Sequence, residues 1–156
     1  MKTFDQDSEQ VAKIRSADYT QLRPYDLYGR KRVCYGNVTA DLAEDDVVGL
    51  IKIPRDCRVL PSLLAHTAFG TGVTAEIGVA AQDGSGFIDK AGTIADDDDF
   101  FATGVDVSAA GNELFADTVA GNLGYIFEKD VIITITLESA NPAAGTLVGV
   151  AEIAND

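Results

Sequence analysis

The sequence has no tryptophan, a single histidine and only two cysteines. Structural zinc usually requires four Cys or His ligands at close spacing, so we expect no zinc site. No apolar run approaches the roughly 18 residues that span a bilayer, and the first residues lack the apolar core of a signal peptide. We therefore expect no metal, no cofactor, no membrane contact and synthesis in the cytoplasm.

Basic residues are scarce in the second part of the chain. Residues 1–58 hold ten basic and ten acidic side chains, whereas residues 59–156 hold two basic and fifteen acidic ones, which accounts for the net charge of −13. Such a surface repels phosphate backbones, so nucleic acid is not an expected partner. The basic cluster Arg30–Arg32 is the exception, and it predicts either an anion contact or a solvated entry to the first strand.

Candidate catalytic groups are few. His66 lies in residues 63–69, where strand alternation places it on one face with Leu64 and Ala68. This pattern favours a structural or interface histidine over a catalytic base. Nucleophile-elbow, phosphate-loop and dinucleotide motifs are absent from the sequence. We predict that the chain is not an enzyme.

Two smaller features leave alternatives open. Cys34 and Cys57 lie in apolar strand candidates, which predicts buried free thiols, with a disulfide between them as the alternative. The run Asp96–Asp99 predicts a solvated surface loop. A weak cation site is its alternative, because hard cations prefer several carboxylate oxygens.

Apolar residues alternate with period two along most of the chain. The run 131–137 is the most strand-like, and it predicts a hairpin with a returning arm at 146–153, which is apolar on both faces and should be covered on both sides. The stretch after residue 107, with Leu114 and Phe115, is predicted to be a loop. The other predicted strands are 33–39, 47–53, 57–69 with a break or bend at Pro61, 73–79, 100–107 and 125–127.

These segments predict an all-β fold with about eight strands and almost no helix. We expect an antiparallel β-sandwich of the jelly-roll type over residues 32–156, preceded by an extended N-terminal arm over residues 1–31. An immunoglobulin-like sandwich is the alternative, although the paired cysteines and tryptophan of antibody domains are lacking.

Several segments together resemble small head proteins of tailed bacteriophages, the decoration or cement proteins. The segments that carry the resemblance are Arg32–Gly36, Gly49–Leu60, Phe69–Thr74, Ile77–Gly78, Asp106–Gly111 and Asp130–Ile135. The resemblance implies a homotrimer on the exterior of the virion capsid, with the major capsid protein as partner, that holds neighbouring capsomers together. A carbohydrate- or receptor-binding β-module of a phage fibre or head spike is the alternative.

The arm contains the candidate contact residues. Tyrosine and arginine anchor many interfaces, and residues 22–32 combine both with a basic cluster in an otherwise acidic chain. This segment is expected either to fold back onto its own domain or to dock on a partner. The candidate contact residues are Leu22, Arg23, Tyr25, Tyr28, Arg30, Lys31 and Arg32.

Overall fold

The structure is a computed structural model that describes residues 31–41, 46–115, 122, 124–138 and 142–155. Ten β-strands form the regular structure of these residues. They are β1 (Lys31–Ala40), β2 (Val47–Ile53), β3 (Cys57–Val59), β4 (Ser62–His66), β5 (Thr74–Ala81), β6 (Asp97–Asp106), β7 (Gly111–Phe115), β8 (Ile126–Phe127), β9 (Val131–Glu138) and β10 (Gly145–Asn155). None of the described residues forms a helix that is long and apolar enough to span a membrane.

The strands form two antiparallel sheets. In the six-stranded sheet β10 is central: β1 pairs along one of its edges, and β4 and β3 pair along the other. β7 continues from β4, and β8 continues from β3. The four-stranded sheet has the order β2-β9-β5-β6. The predicted all-β antiparallel sandwich is confirmed, with ten described strands instead of about eight, while its jelly-roll connectivity stays a prediction.

The core lies between the sheets and follows the period-two pattern. In β9 the alternate residues Val131, Ile133, Ile135 and Leu137 are fully buried, as the sequence predicted. In β10 the inward set contains Leu147, Ala151 and Ile153, which are also fully buried. Because successive strand residues point to opposite faces, the remaining residues of both strands face away from this core.

The predicted hairpin between residues 131–137 and 146–153 is wrong. β9 lies between β2 and β5 in the four-stranded sheet, whereas β10 lies in the other sheet. Both strands are internal and have neighbours along both edges. Their inward side chains therefore meet across the core, and their backbones do not pair with each other.

The predicted strand at 57–69 is broken at Pro61, which is one of the two outcomes that the sequence predicted. Its two parts are β3 and β4, because Pro61 has no N–H to donate at the break. Ser62 bridges this break: its hydroxyl donates to the Leu60 carbonyl at 2.6 Å and accepts from the Glu152 amide at 3.1 Å.

Two predicted loops need correction. The predicted loop around Leu114 contains β7. The predicted loop at Asp96–Asp99 is mostly strand, since β6 begins at Asp97.

Two glycines allow β2 to approach the six-stranded sheet closely. Gly36 of β1 and Gly149 of β10 lie opposite each other in register. A Cβ atom on Gly36 would overlap the carbonyl oxygen of Leu50, and one on Gly149 would lie 2.7 Å from Cδ1 of Ile51. A register shift between Gly49 and Ile51 lets both Leu50 and Ile51 be buried.

The predicted arm falls almost entirely outside the described residues. β1 begins at Lys31, and nothing before that residue is described. The division into an arm at 1–31 and a domain at 32–156 therefore stays a prediction.

Candidate interaction surface

Most of the predicted contact residues lie outside the described residues. This applies to Leu22, Arg23, Tyr25, Tyr28 and Arg30. The last two members of the predicted set begin β1, where Lys31 pairs with Ala154 and Arg32 pairs with Ile153. Arg32 is exposed. The end of the predicted contact segment is therefore fixed to the edge of the six-stranded sheet.

An apolar surface, separate from the predicted contact segment, lies on the outer side of this sheet. Tyr35, Val150, Leu63 and Leu114 stand side by side on β1, β10, β4 and β7. Tyr35 is 63% exposed, Leu63 is 38% exposed and Leu114 is 59% exposed, while Val150 is half-buried. We call the outward side chains around this row the apolar face; its members are Val33, Tyr35, Leu63, Leu114, Ile126, Val148 and Val150.

The apolar face differs from the rest of the described surface. It holds five of the eight exposed large hydrophobic side chains among the described residues. Two bases and one acid occupy its register positions, so this face lacks the acidic excess of the chain; they are Lys31, Arg58 and Glu152. A shallow depression of about 440 Å³ lies beside the row and is lined partly by Ala65, Asn112 and Val148. Large exposed apolar patches on soluble proteins usually mark interaction sites.

The outer side of the four-stranded sheet is acidic instead. Partial burial and the nearby Glu138 raise the pKa of Glu76, and Asp99 and Asp98 add to this effect. A hydrogen bond from the Thr103 hydroxyl to Glu76 Oε1, at 3.3 Å, opposes it. The two outer sides of the sandwich therefore differ in chemistry, one apolar and nearly neutral and the other acidic.

Two carboxylates in the run at residues 96–99 accept hydrogen bonds from backbone amides of their own domain. Asp96 Oδ1 accepts from the Ala81 amide at 2.8 Å, and Asp97 Oδ1 accepts from the Asp99 amide at 3.2 Å. Burial has the largest effect on Asp97 and raises its pKa, and the neighbouring Asp99 side chain raises it further. Within the ranges that the structure describes, no three His, Cys, Asp or Glu side chains converge on a point that would hold a metal ion.

His66 is buried in the position that the sequence predicted. Its Nδ1 donates to the Thr67 carbonyl at 3.1 Å. Its Nε2 has no hydrogen-bond partner among the described residues and faces Gly111, where a Cβ atom would lie 3.3 Å away. The ring thus packs between β4 and β7, which supports a structural role.

Both cysteines are free thiols, so the disulfide alternative is wrong. Cys57 is buried and its Sγ donates to Asn155 Oδ1 at 3.3 Å, whereas Cys34 is half-buried. Burial raises the pKa of both thiols, and the nearby positive charge of Arg32 partly lowers it.

The sequence reasoning missed one buried acid, Asp89. Its carboxylate accepts from the Thr93 hydroxyl at 2.6 Å, the Thr93 amide at 2.9 Å and the Ile94 amide at 2.9 Å. These hydrogen bonds lower the pKa of Asp89, and the one from the Thr93 side chain has the largest effect. An Asp followed by Thr four residues later in a Gly-containing loop was the available signal. The role of Asp89 is to hold the loop between β5 and β6.

A groove of about 490 Å³ beside this loop is lined mainly by charged side chains. Lys129 Nζ lies 3.4 Å from Asp83 Oδ2 and donates to the Ser85 hydroxyl at 3.0 Å. Lys52 Nζ lies 3.0 Å from Asp130 Oδ2. These contacts pair acids with bases around the groove, so the charged side chains there hold neighbouring loops together.

Comparison with known proteins bears on the fold. No family model and no curated protein matches the sequence. A chain in the capsid of Ralstonia phage GP4 has a TM-score of 0.64 and 17% identity, with 82% of this chain and 86% of that chain covered. A chain in the cyanophage Pam1 capsid asymmetric unit has a TM-score of 0.55 and 20% identity, with 81% and 85% covered. This chain shares their fold.

Proposed function

We propose that this chain is a structural protein of a phage virion, which binds the outside of the capsid and stabilises it by bridging neighbouring capsomers as a trimer. The observation that carries the proposal is the fold shared with a chain of the GP4 capsid structure over most of both chains. The partner would be the major capsid protein. The role is mechanical and requires no catalysis.

The two outer sides of the sandwich suit such a role. The apolar face offers neutral surface for protein contacts, whereas the acidic side keeps the molecule hydrated and repels nucleic acid. A trimer would present three copies of every contact, so modest contacts with the shell would add up to firm attachment.

We assign the shell contacts to the segment from Leu22 to Arg32. The supporting observations are its content of tyrosine and arginine and the exposure of Arg32 where the segment joins β1. Because Lys31 and Arg32 pair with β10, contacts made by the preceding residues would be tied directly to a central strand of the domain.

Binding to expanded, undecorated heads of the phage that encodes this chain tests the proposal. We expect the full chain to cosediment with the heads in a saturable manner and to raise the temperature at which they disrupt. Heads that bind no protein, or that bind it without gaining stability, would refute the bridging role.

Removal of residues 1–30 tests the contact segment, because this deletion leaves every residue of β1 in place. We expect at least about a tenfold loss of affinity, typical of removing interface anchors. The triple variant Arg23→Ala, Tyr25→Ala, Tyr28→Ala should match it, while the control Lys13→Ala, Arg15→Ala should bind as the parent does. Unchanged affinity of the triple variant would refute the assignment. Tight binding on a glycan array without binding to heads would support the receptor-binding alternative.

A further inference from the structure

The exposed apolar side chains of the apolar face form two clusters at opposite edges of the sheet. The β1 cluster consists of Val33, 67% exposed, and Tyr35, 63% exposed. The β7 cluster consists of Leu114, 59% exposed, and Leu63 of the neighbouring β4, 38% exposed. Between the two clusters lie half-buried side chains of β10. A partner that covers this face must therefore contact both of its edges.

Charge favours a second copy of this chain as the partner. The chain carries a net charge of −13, so two copies repel each other through most of their surfaces. The apolar face is the exception, because its register positions hold only one acid, Glu152, beside two bases, Lys31 and Arg58. Around a threefold axis the acidic sheets would lie about 15 Å from the axis, one sheet spacing outside the apolar sheets, and their centres would be about 27 Å apart. This distance is well beyond the screening length of about 8 Å at physiological salt.

The size of the face suits a stable contact. Four strand positions at about 4.8 Å each, and the 11 residues of β10 at about 3.3 Å each, give about 700 Å² of sheet plane per copy. Standard specific interfaces bury about 800 Å² per partner. The face is therefore large enough to hold copies together without further surfaces.

The width of the face also suits three copies. Three faces about 19 Å wide, arranged around a threefold axis, would each lie about 5 to 6 Å from that axis, which is half of the usual 10 Å spacing between packed sheets. Their outward side chains would fill the centre and leave no channel. In this arrangement the β1 edge of each copy meets the β7 edge of the next. The depression lined partly by Ala65, Ala110 and Asn112 lies near that β7 edge, where it can receive Tyr35.

We infer that the apolar face is the contact between copies of this chain, with the β1 cluster of each copy packed against the β7 cluster of the next in a closed ring of three. Such a contact joins two different surfaces, and contacts of this kind form a ring when the rotation from one copy to the next closes, here at about 120° for three copies. The inference rests on the proposed function for the number of copies, and it adds the surface through which they meet.

The mass of the purified full chain in solution tests this inference. Sedimentation velocity and light scattering over about 1 to 200 μM should show a species of about 50 kDa, three times the chain mass of 16.5 kDa. Val33→Glu and Leu114→Glu each place a charge in one cluster and should each reduce the mass to that of one chain. Both residues are exposed, so the variants should keep the far-ultraviolet circular dichroism and thermal unfolding of a folded sandwich.

Val47→Glu is the matched control. Val47 is also an exposed valine on an edge strand, 56% exposed, but it lies on the outer side of the four-stranded sheet. This variant adds the same negative charge and should keep the three-copy mass. A parent protein that is a single chain or a pair at all concentrations would overturn the inference, as would a three-copy mass that survives both Val33→Glu and Leu114→Glu.

Head binding separates this inference from the proposed function. If the parent protein is a single chain in solution and Val33→Glu abolishes binding to heads, the apolar face contacts the shell and the inference is wrong. If the parent is a trimer that the two cluster variants dissociate, but it does not bind heads, the inference holds and the proposed function is wrong.

Discussion

Replacement of Gly36 by alanine tests the close approach of the two sheets. The added Cβ would overlap the carbonyl oxygen of Leu50, which is backbone and cannot rotate away. Relief requires β1 and β2 to separate, and overpacking of this kind typically costs about 1 to 3 kcal/mol, occasionally more. We expect Gly36→Ala to lower the free energy of unfolding by about 3 kcal/mol, since backbone atoms must move to relieve the overlap.

Gly49→Ala is the matched control for this change. Gly49 also lies in a strand, but its added Cβ would meet only a side-chain methyl group, Cγ2 of Ile132, at 3.1 Å. Both substitutions restrict the unfolded chain equally, by about 0.4 to 1 kcal/mol, so this effect cancels in the comparison. Gly149→Ala should fall between them, because its Cβ would meet the ends of the Ile51 and Leu50 side chains at 2.7 Å.

Thermal and denaturant unfolding measure the stability of these three glycine variants. A difference of about 3 kcal/mol in a domain of this size corresponds to about 6 to 12 °C in Tm. We therefore expect Gly36→Ala to unfold about that far below Gly49→Ala, with a lower denaturant midpoint at an unchanged slope. Equal Tm values for the two variants would refute the close approach as a source of stability.

Three further predictions follow from the perturbed groups. The pKa of Asp89 is lowered in the folded state, so its stabilising effect is present above the ordinary carboxyl pKa of about 3.9 and is lost as the pH falls through the folded value. Asp89→Asn should therefore lower Tm at pH 7 and make Tm fall less steeply as the solution is acidified. An equally steep fall in both proteins would contradict this. The pKa of Glu76 is raised, so its charged form opposes folding. Glu76→Gln should therefore raise Tm at pH 7, by an amount that shrinks as the pH falls through the raised pKa and is gone below the ordinary glutamate pKa of about 4.3; an equal gain at all pH values would contradict this. Maleimide should label the half-buried Cys34 slowly and the fully buried Cys57 only on unfolding, and mass spectrometry of native samples labelled at Cys57 would disprove that order.

The strands with a strong period-two pattern were predictable from sequence. Residues 131–137 fall within β9, because one face of this run is wholly apolar while Thr134 and Thr136 lie on the other. Strand β7 was missed because Gly111, Asn112 and Glu113 are poor strand formers, and their extended conformation depends on pairing with β4. The hairpin error has a related cause: neighbours in sequence often pair, but two internal strands of a sandwich can lie in opposite sheets.

The candidate surface was only partly predictable. The sequence showed that residues 146–153 are apolar on both sides and need cover on both, and the outward Val148 and Val150 belong to the apolar face. The rest of the face depends on register among β1, β4, β7 and β10, which come from distant parts of the chain. Alternation within one strand cannot reveal that Tyr35 and Leu114 belong to the same row.

The pairing of β1 with β10 has a consequence for biosynthesis. Thr39 and Thr146 are hydrogen-bonded partners separated by 107 residues, and the paired strands are among the first and last described segments to leave the ribosome. Long-range pairing of this kind slows folding and delays it until late in translation. The six-stranded sheet can close only after β10 has emerged, so the nascent chain must wait with its future core uncovered. Chaperone demand should therefore rise with the rate at which this protein is made.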